Sequence, residues 1–156
     1  MTAEDVRGRF SWLEYTERAT AKMMEMIPED AWDFRPAEGC RTVGELAAHL
    51  YGAERATLLG LERGSMTQEE YSRDQGPAIA ARKDVHDLME SARQARARVL
   101  ESLTDESLNV PIKLFYGEFT AAQVIGFVYD EHWHHRGQLT VYLRALGLEP
   151  PFIYGE

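Results

Sequence analysis

Three of the chain's five histidines fall in the short run Glu131-His132-Trp133-His134-His135. An imidazole supplies a nitrogen ligand or a proton-transfer group near neutral pH, and a carboxylate supplies a hard oxygen. On a helix turning about 100° per residue, Glu131 and His135 share a face. They fall near the centre of the stripe set by Val124, Phe127, Val128, Leu139, Tyr142 and Leu146. His132 and His134 then project to opposite flanks, and Trp133 points away. An inward carboxylate and imidazole at i and i+4 are costly unless they pair with each other or coordinate a cation. A fourth histidine, His49, stands at the edge of a second apolar face, beside Leu46, Ala53, Ala56 and Gly60. The small ones, Ala53, Ala56 and Gly60, would let another helix approach closely. Glu54 sits nearer the middle of that face and also needs a partner.

The elements that must position these groups are helices. Val6, Phe10, Leu13, Thr20, Met23, Met24 and Ile27 predict a first helix over Ala3–Met26, stopped by Pro28. Thr42 with Glu45 is a capping-box start for a second helix, running to about Arg63. Residues 64–80 are polar, contain Gly76-Pro77, and read as a loop with one short turn around Thr67–Ser72. Val85, Leu88, Met89, Ala92, Ala95, Val99 and Leu103 predict a third helix over 82–103, its Arg- and Glu-rich side a solvated face. Residues 109–119 are rich in β-branched and aromatic side chains around Gly117, which suggests an extended or hairpin-like lead. Thr120 and Gln123 open the last helix, which closes at Gly147 ahead of Pro150 and Pro151. The expected fold is all-α: a four-helix bundle with a long connection between helices 2 and 3 and a short extended segment before helix 4.

A chain of 156 residues fits one domain over 1–156. A formal net charge of −9 argues against nucleic acid as a partner, because phosphate binding rests on Lys and Arg. No apolar run reaches membrane-spanning length, and no signal peptide is visible at Met1–Asp5. The single Cys40 allows no internal disulfide and fits the cytoplasm. The outward side of the last helix reads Gly126, Tyr129, Trp133, Gly137, Thr140 and Arg144, unusually short of charge. That predicts a homodimer, with Gly137 marking a close approach.

The run His134-His135-Arg136-Gly137-Gln138-Leu139-Thr140-Val141-Tyr142-Leu143-Arg144 resembles the last helix of the DinB/YfiT-like family of small bacterial four-helix proteins. So does Thr42-Val43-Gly44-Glu45-Leu46-Ala47-Ala48-His49-Leu50 in the second helix. The resemblance implies a divalent metal, zinc or nickel, held inside the bundle by three histidines. His49 matches the first. His135 matches the second member of an H-x3-H pair whose first member falls on Glu131, and there this sequence departs. Either Glu131 replaces the imidazole, or His132 reaches the metal instead, or the metal is lost and Glu131 and His135 pair with each other or with Glu54 and Arg136.

The resemblance also implies an activity on a small-molecule substrate. Family members include thiol-dependent transferases, in which the metal activates a low-molecular-weight thiol such as bacillithiol, mycothiol or glutathione. The expectation is an S-transferase of detoxification or stress response. His134 would transfer protons, while Arg136 and Gln138 would stand at the substrate mouth. A metal-dependent hydrolase with Glu54 as base, and a non-catalytic metal-binding stress protein, are the other readings.

Overall fold

The computed structural model describes residues 1–154. Helix α1, Ala3–Met26, opens on a capping box: the Thr2 hydroxyl accepts from the Asp5 N–H and the Asp5 carboxylate accepts from the Thr2 N–H. The second helical stretch comprises α2, Val43–Ala47, and α3, Ala53–Arg63, joined through a π turn at Ala48–Gly52. That π turn contains His49. Gly64, with φ +79°, ends α3 in the left-handed conformation favoured by glycine.

The connection at 64–80 is more ordered than its composition suggested. Strand β1, Ser65–Met66, is followed by helix α4, Gln68–Gln75, and none of the residues of α4 is buried. With no apolar stripe to read, only the Thr67-x-x-Glu70 capping box betrays this helix. The Arg55 guanidinium donates to the Asp74 carbonyl and Arg63 pairs with the Asp74 carboxylate at 3.0 Å, tying α4 back onto α3.

Helix α5 spans Arg82–Ser102. The extended lead is an antiparallel hairpin of β2, Pro111–Leu114, and β3, Gly117–Thr120, with Leu114 opposite Gly117. Strand β1 adds parallel to β2, Ser65 opposite Lys113, and the sheet order is β1-β2-β3. Helix α6, Ala121–Ala145, opens on the Thr120–Gln123 capping box. It closes with Gly147 at φ +77° and the Leu148 N–H returning to the Leu143 carbonyl.

This is an all-α bundle of α1, α2–α3, α5 and α6 with a small sheet at one side. Its interior is divided. Met23, Met24, Leu46, Leu50, Val85, Met89, Leu139 and Leu143 form one apolar cluster. Val6, Phe10, Leu13, Leu58, Ala95, Val99, Ile125 and Val128 form another. Between them along α1, α3, α5 and α6 lie the buried polar residues Thr16, Glu17, Thr20, Glu54, Arg96, His132 and Arg136. A polar layer thus crosses the middle of the bundle. Met66, Ile112 and Leu114 of the sheet pack on Ala56, Ala121 and Val124 as a third cluster. No helix among the described residues is long and apolar enough to cross a membrane.

Candidate metal centre

The buried side of α6 comprises Val124, Ile125, Val128, His132, His135, Arg136, Leu139, Tyr142 and Leu143. Its centre is rotated from the expected stripe. Phe127 is exposed, and counting it as core had drawn the stripe toward Glu131. On helical geometry Glu131 stands about 60° from Val128, at the edge of the buried face, whereas His132 stands about 40° from it on the other side. Glu131 is accordingly exposed, while His132 is only 1 % exposed and points inward.

Glu131, His135 and His49 nonetheless converge. His135 Nε2 lies 2.8 Å from Glu131 Oε2, and His49 Nε2 lies 3.7 Å from the same oxygen. The two imidazole rings meet edge to face, with centroids 4.7 Å apart. One donor atom from each of the three residues lies within 4.8 Å of the others. The π turn matters here: i→i+5 bonding shifts the helical register, and such turns concentrate at functional sites. It brings His49 to the same cavity that Glu54, five residues on, also lines.

The far nitrogen of His135 is also held. Nδ1 lies 2.7 Å from Gln138 Oε1, and Gln138 Nε2 lies 3.1 Å from His134 Nε2. The amide nitrogen faces His134, and Gln138 Oε1 accepts the Nδ1–H of His135 in the tautomer whose Nε2 is free to ligate. Burial lowers the His135 pKa, against the opposing pull of Gln138 and Glu131. Burial, then the Arg41 and His135 charges, push His49 down to about 4 despite Glu131. At neutral pH both rings are therefore neutral and able to ligate. The 2.8 Å contact to Glu131 is a hydrogen bond when His135 Nε2 carries the proton. With the proton on Nδ1, Nε2 is free to ligate, and two imidazoles with a carboxylate are a donor set that suits a divalent metal.

Two of the three, His49 and Glu131, line a cavity of about 500 Å³ together with Glu54, Tyr71, Phe115, Tyr116, Phe119 and Phe127. Its aromatic wall comes from α4 and the hairpin, in which the sequence had shown no part of the site, and from Phe127 of α6, which the sequence had counted as core.

Behind the cavity lies the polar layer. The Arg96 guanidinium donates to Glu54 Oε1 at 2.6 Å and to Oε2 at 3.1 Å, and to both oxygens of Glu17 at 3.2 and 3.3 Å. His132 Nε2 stands 2.9 Å from Glu54 Oε2. Glu17, Glu54 and His132 could themselves gather around a metal, but the Arg96 cation already occupies that role. Burial would raise the Glu54 pKa, yet His132 and Arg96 more than offset it and hold it down to about 2. His132 is thereby committed to Glu54 rather than to the Glu131–His135 cluster, which corrects its expectation as an alternative to Glu131.

The reading of α5 as carrying only a solvated polar face needs the same correction, since Arg96 is 1 % exposed. Its position four residues after Ala92 and three before Val99 placed it on the apolar stripe. Glu17, four after Leu13 and three before Thr20, was legible in the same way.

Arg136 is also displaced from its expected role at the substrate mouth. It is fully buried on the side of α6 facing α1, where Nε donates to Thr20 Oγ1 at 2.9 Å and Nη1 to the Ile153 carbonyl at 3.1 Å. Its guanidinium lies 4.4 Å from the Trp133 ring centroid, and Tyr154 packs on Trp133 at 5.8 Å. The C-terminal tail thus covers part of the uncharged face of α6. Among the described residues no atom outside its own stretch of helix lies within 4 Å of where a Gly137 Cβ would be, so none of them makes the close approach expected there.

The fold and this cluster define a small helical protein with a potential metal-binding site open to a cavity. The profile of the DinB family matches residues 4–156, and the chain belongs to that family. It is 25% identical to the uncharacterized Bacillus subtilis protein YjoA over 137 residues, covering 85% of this chain and 86% of YjoA. It is 26% identical to B. subtilis YrdA, also uncharacterized, over 148 residues, 93% of this chain and 84% of YrdA. The crystal structure of YjoA superposes with a TM-score of 0.74 at 24% identity, over 96% of this chain and 99% of that one. A DinB-like protein from Bacillus cereus gives 0.74 at 23% identity, covering 94% and 95% of the two chains.

Proposed function

We propose that His49, Glu131 and His135 hold one divalent cation, zinc or nickel, and that the chain is a metal-dependent enzyme acting on a small molecule, a thiol-dependent S-transferase of detoxification or stress response. The observation that carries this is the convergence of three ligand atoms from two helices within 4.8 Å, beside a cavity large enough for a substrate. A cation held by three protein groups keeps an open position and supplies a Lewis acid that lowers the pKa of a thiol.

The chain's own residues do the rest. Gln138 orients His135 through its Nδ1–H. His134, exposed at the end of the His135–Gln138–His134 series, exchanges protons with water. The cavity's aromatic rings displace solvent from the reacting groups.

The hydrolase reading is the weaker one. It needs a base, and Glu54 is a poor one: every short contact of its carboxylate is to Arg96 or His132, and its pKa is near 2. A non-catalytic metal-binding protein would have little use for an aromatic cavity beside the ligands.

Metal analysis of zinc-reconstituted protein should find about one ion per chain, lost in His49→Ala and His135→Ala. The loaded protein should conjugate monochlorobimane to at least one of bacillithiol, mycothiol and glutathione, and His134→Ala should slow turnover without releasing metal. Ester and amide hydrolysis without conjugation would move the assignment to a hydrolase. A chain that takes up neither zinc nor nickel would end the metal reading.

A further inference from the structure

The tip of the β2–β3 hairpin carries Phe115 and Tyr116, which are 44 % and 52 % exposed. Two large rings at a turn contribute little to the core, and their placement asks for another explanation. They belong to a continuous aromatic series. Tyr71 of α4 lies 5.5 Å from Phe115, Phe115 4.8 Å from Tyr116, Tyr116 5.6 Å from Phe119, and Phe119 5.1 Å from Phe127 of α6. All five rings line the cavity beside His49 and Glu131. Gly117 permits the arrangement: a Cβ there would stand 2.9 Å from the Phe119 ring, so any larger residue displaces it.

The charges of the lining point the same way. Glu54 is already paired with Arg96 and His132, Asp130 and Glu131 add two further carboxylates, and no lining residue is Lys or Arg. Arg41, whose charge is felt at His49 and Tyr71, lines two neighbouring clefts with Gly39 and Cys40 rather than this one. In the metal-free chain an anionic group entering the cavity would lose its hydration and meet the Asp130 and Glu131 carboxylates, with no Lys or Arg in the lining to receive it. Aromatic edges and faces, by contrast, match another ring at low cost.

We propose that this cavity binds an uncharged, ring-bearing organic group, gripped by Phe115 and Tyr116 against the wall formed by Tyr71, Phe119 and Phe127. The proposal rests on reading the cavity as the substrate site. It assigns the electrophilic partner of the transfer, rather than an acidic thiol, to this space.

Calorimetric titration of the zinc-free full-length protein with 4-phenylbutan-1-ol and with 4-phenylbutyrate tests it, since the two probes share a skeleton and differ in charge. The zinc-free form removes direct coordination of the carboxylate. The alcohol should bind at least about tenfold more tightly than the acid. The Phe115→Ala/Tyr116→Ala double variant, folded by circular dichroism, should lose roughly three- to tenfold in alcohol affinity. Its zinc affinity, titrated separately, should match that of the parent chain. Equal affinity for the two probes, no binding of the alcohol, or unaltered alcohol binding by the double variant would overturn the proposal. Alcohol binding by a chain that never takes up zinc would sink the metal reading and leave this one standing.

Discussion

His135 is gripped at both ring nitrogens by residues of its own helix: Glu131 Oε2 lies 2.8 Å from Nε2 one turn before it, and Gln138 Oε1 lies 2.7 Å from Nδ1 one turn after. The i, i+3 and i+4 spacing of an α-helix is enough to fix the ring's aim. His49 is the remaining partner and arrives from another helix through a π turn. The candidate centre is therefore two-thirds local and one-third tertiary, and its parts are separable by mutation.

Gln138→Leu removes the acceptor that holds the His135 Nδ1–H while leaving every proposed ligand in place. Zinc affinity should fall by about 10–100-fold, as for other groups that orient a ligating imidazole. Calorimetric titration of zinc into the variant and parent checks this. Unchanged affinity would show that Gln138 does not tune the ring.

The Glu54 carboxyl gives the fold an acid limit. Unfolded, it takes up a proton near its ordinary value of 4.5; folded, it resists down to about 2. Between those values the unfolded chain binds more protons, so stability falls as pH drops and is unaffected by this group above about 4.5. The full effect is on the order of 3 kcal/mol. Urea unfolding from pH 5.5 to 2.5 should show this slope, and Glu54→Gln should flatten it.

Among the described residues Arg96 is the sole cation paired with both Glu17 and Glu54, Arg93 reaching Glu17 alone from a more exposed position. Arg96→Met should cost about 3–5 kcal/mol, because it strands buried carboxylates. Arg96→Lys should recover little, since one ammonium cannot make the forked contacts. Replacing Glu17, Glu54 and Arg96 together by apolar residues should restore much of the loss. Equilibrium denaturation of the three variants separates these outcomes.

Two helical glycines should respond oppositely to alanine. A Cβ at Gly44 would run into the Ile79 carbonyl, whose residue's own N–H bonds back to the Gly44 carbonyl at 3.1 Å. Gly44→Ala should therefore destabilise by about 1–3 kcal/mol. Gly137 faces open space, and Gly137→Ala should stabilise the chain by roughly 0.5–1 kcal/mol. Melting temperatures of the two variants, measured side by side, check both signs. A Gly137→Ala chain that loses stability would indicate a second copy packed on that face.

Much of this protein is written locally. The helices over Ala3–Met26, 43–63, Arg82–Ser102 and Ala121–Ala145 follow from apolar residues at helical spacing and, for all but Arg82–Ser102, from Thr-x-x-acid or Thr-x-x-Gln starts, because capping and amphipathicity act within a few residues. Glu131 and His135 could be paired for the same reason, and the hairpin could be read around Gly117. What tertiary structure decided lies across the chain. Parallel pairing of Ser65 with Lys113 joins strands nearly fifty residues apart. The π turn that presents His49 obeys no sequence periodicity. The exact rotation of α6, which sends His132 to Glu54 and leaves Glu131 at the cavity, depends on which of its neighbours pack against it. Burial of Arg96 among two glutamates is settled only when three helices meet, since a charged side chain at a core position can also be satisfied by water until the partners that replace that water are in place.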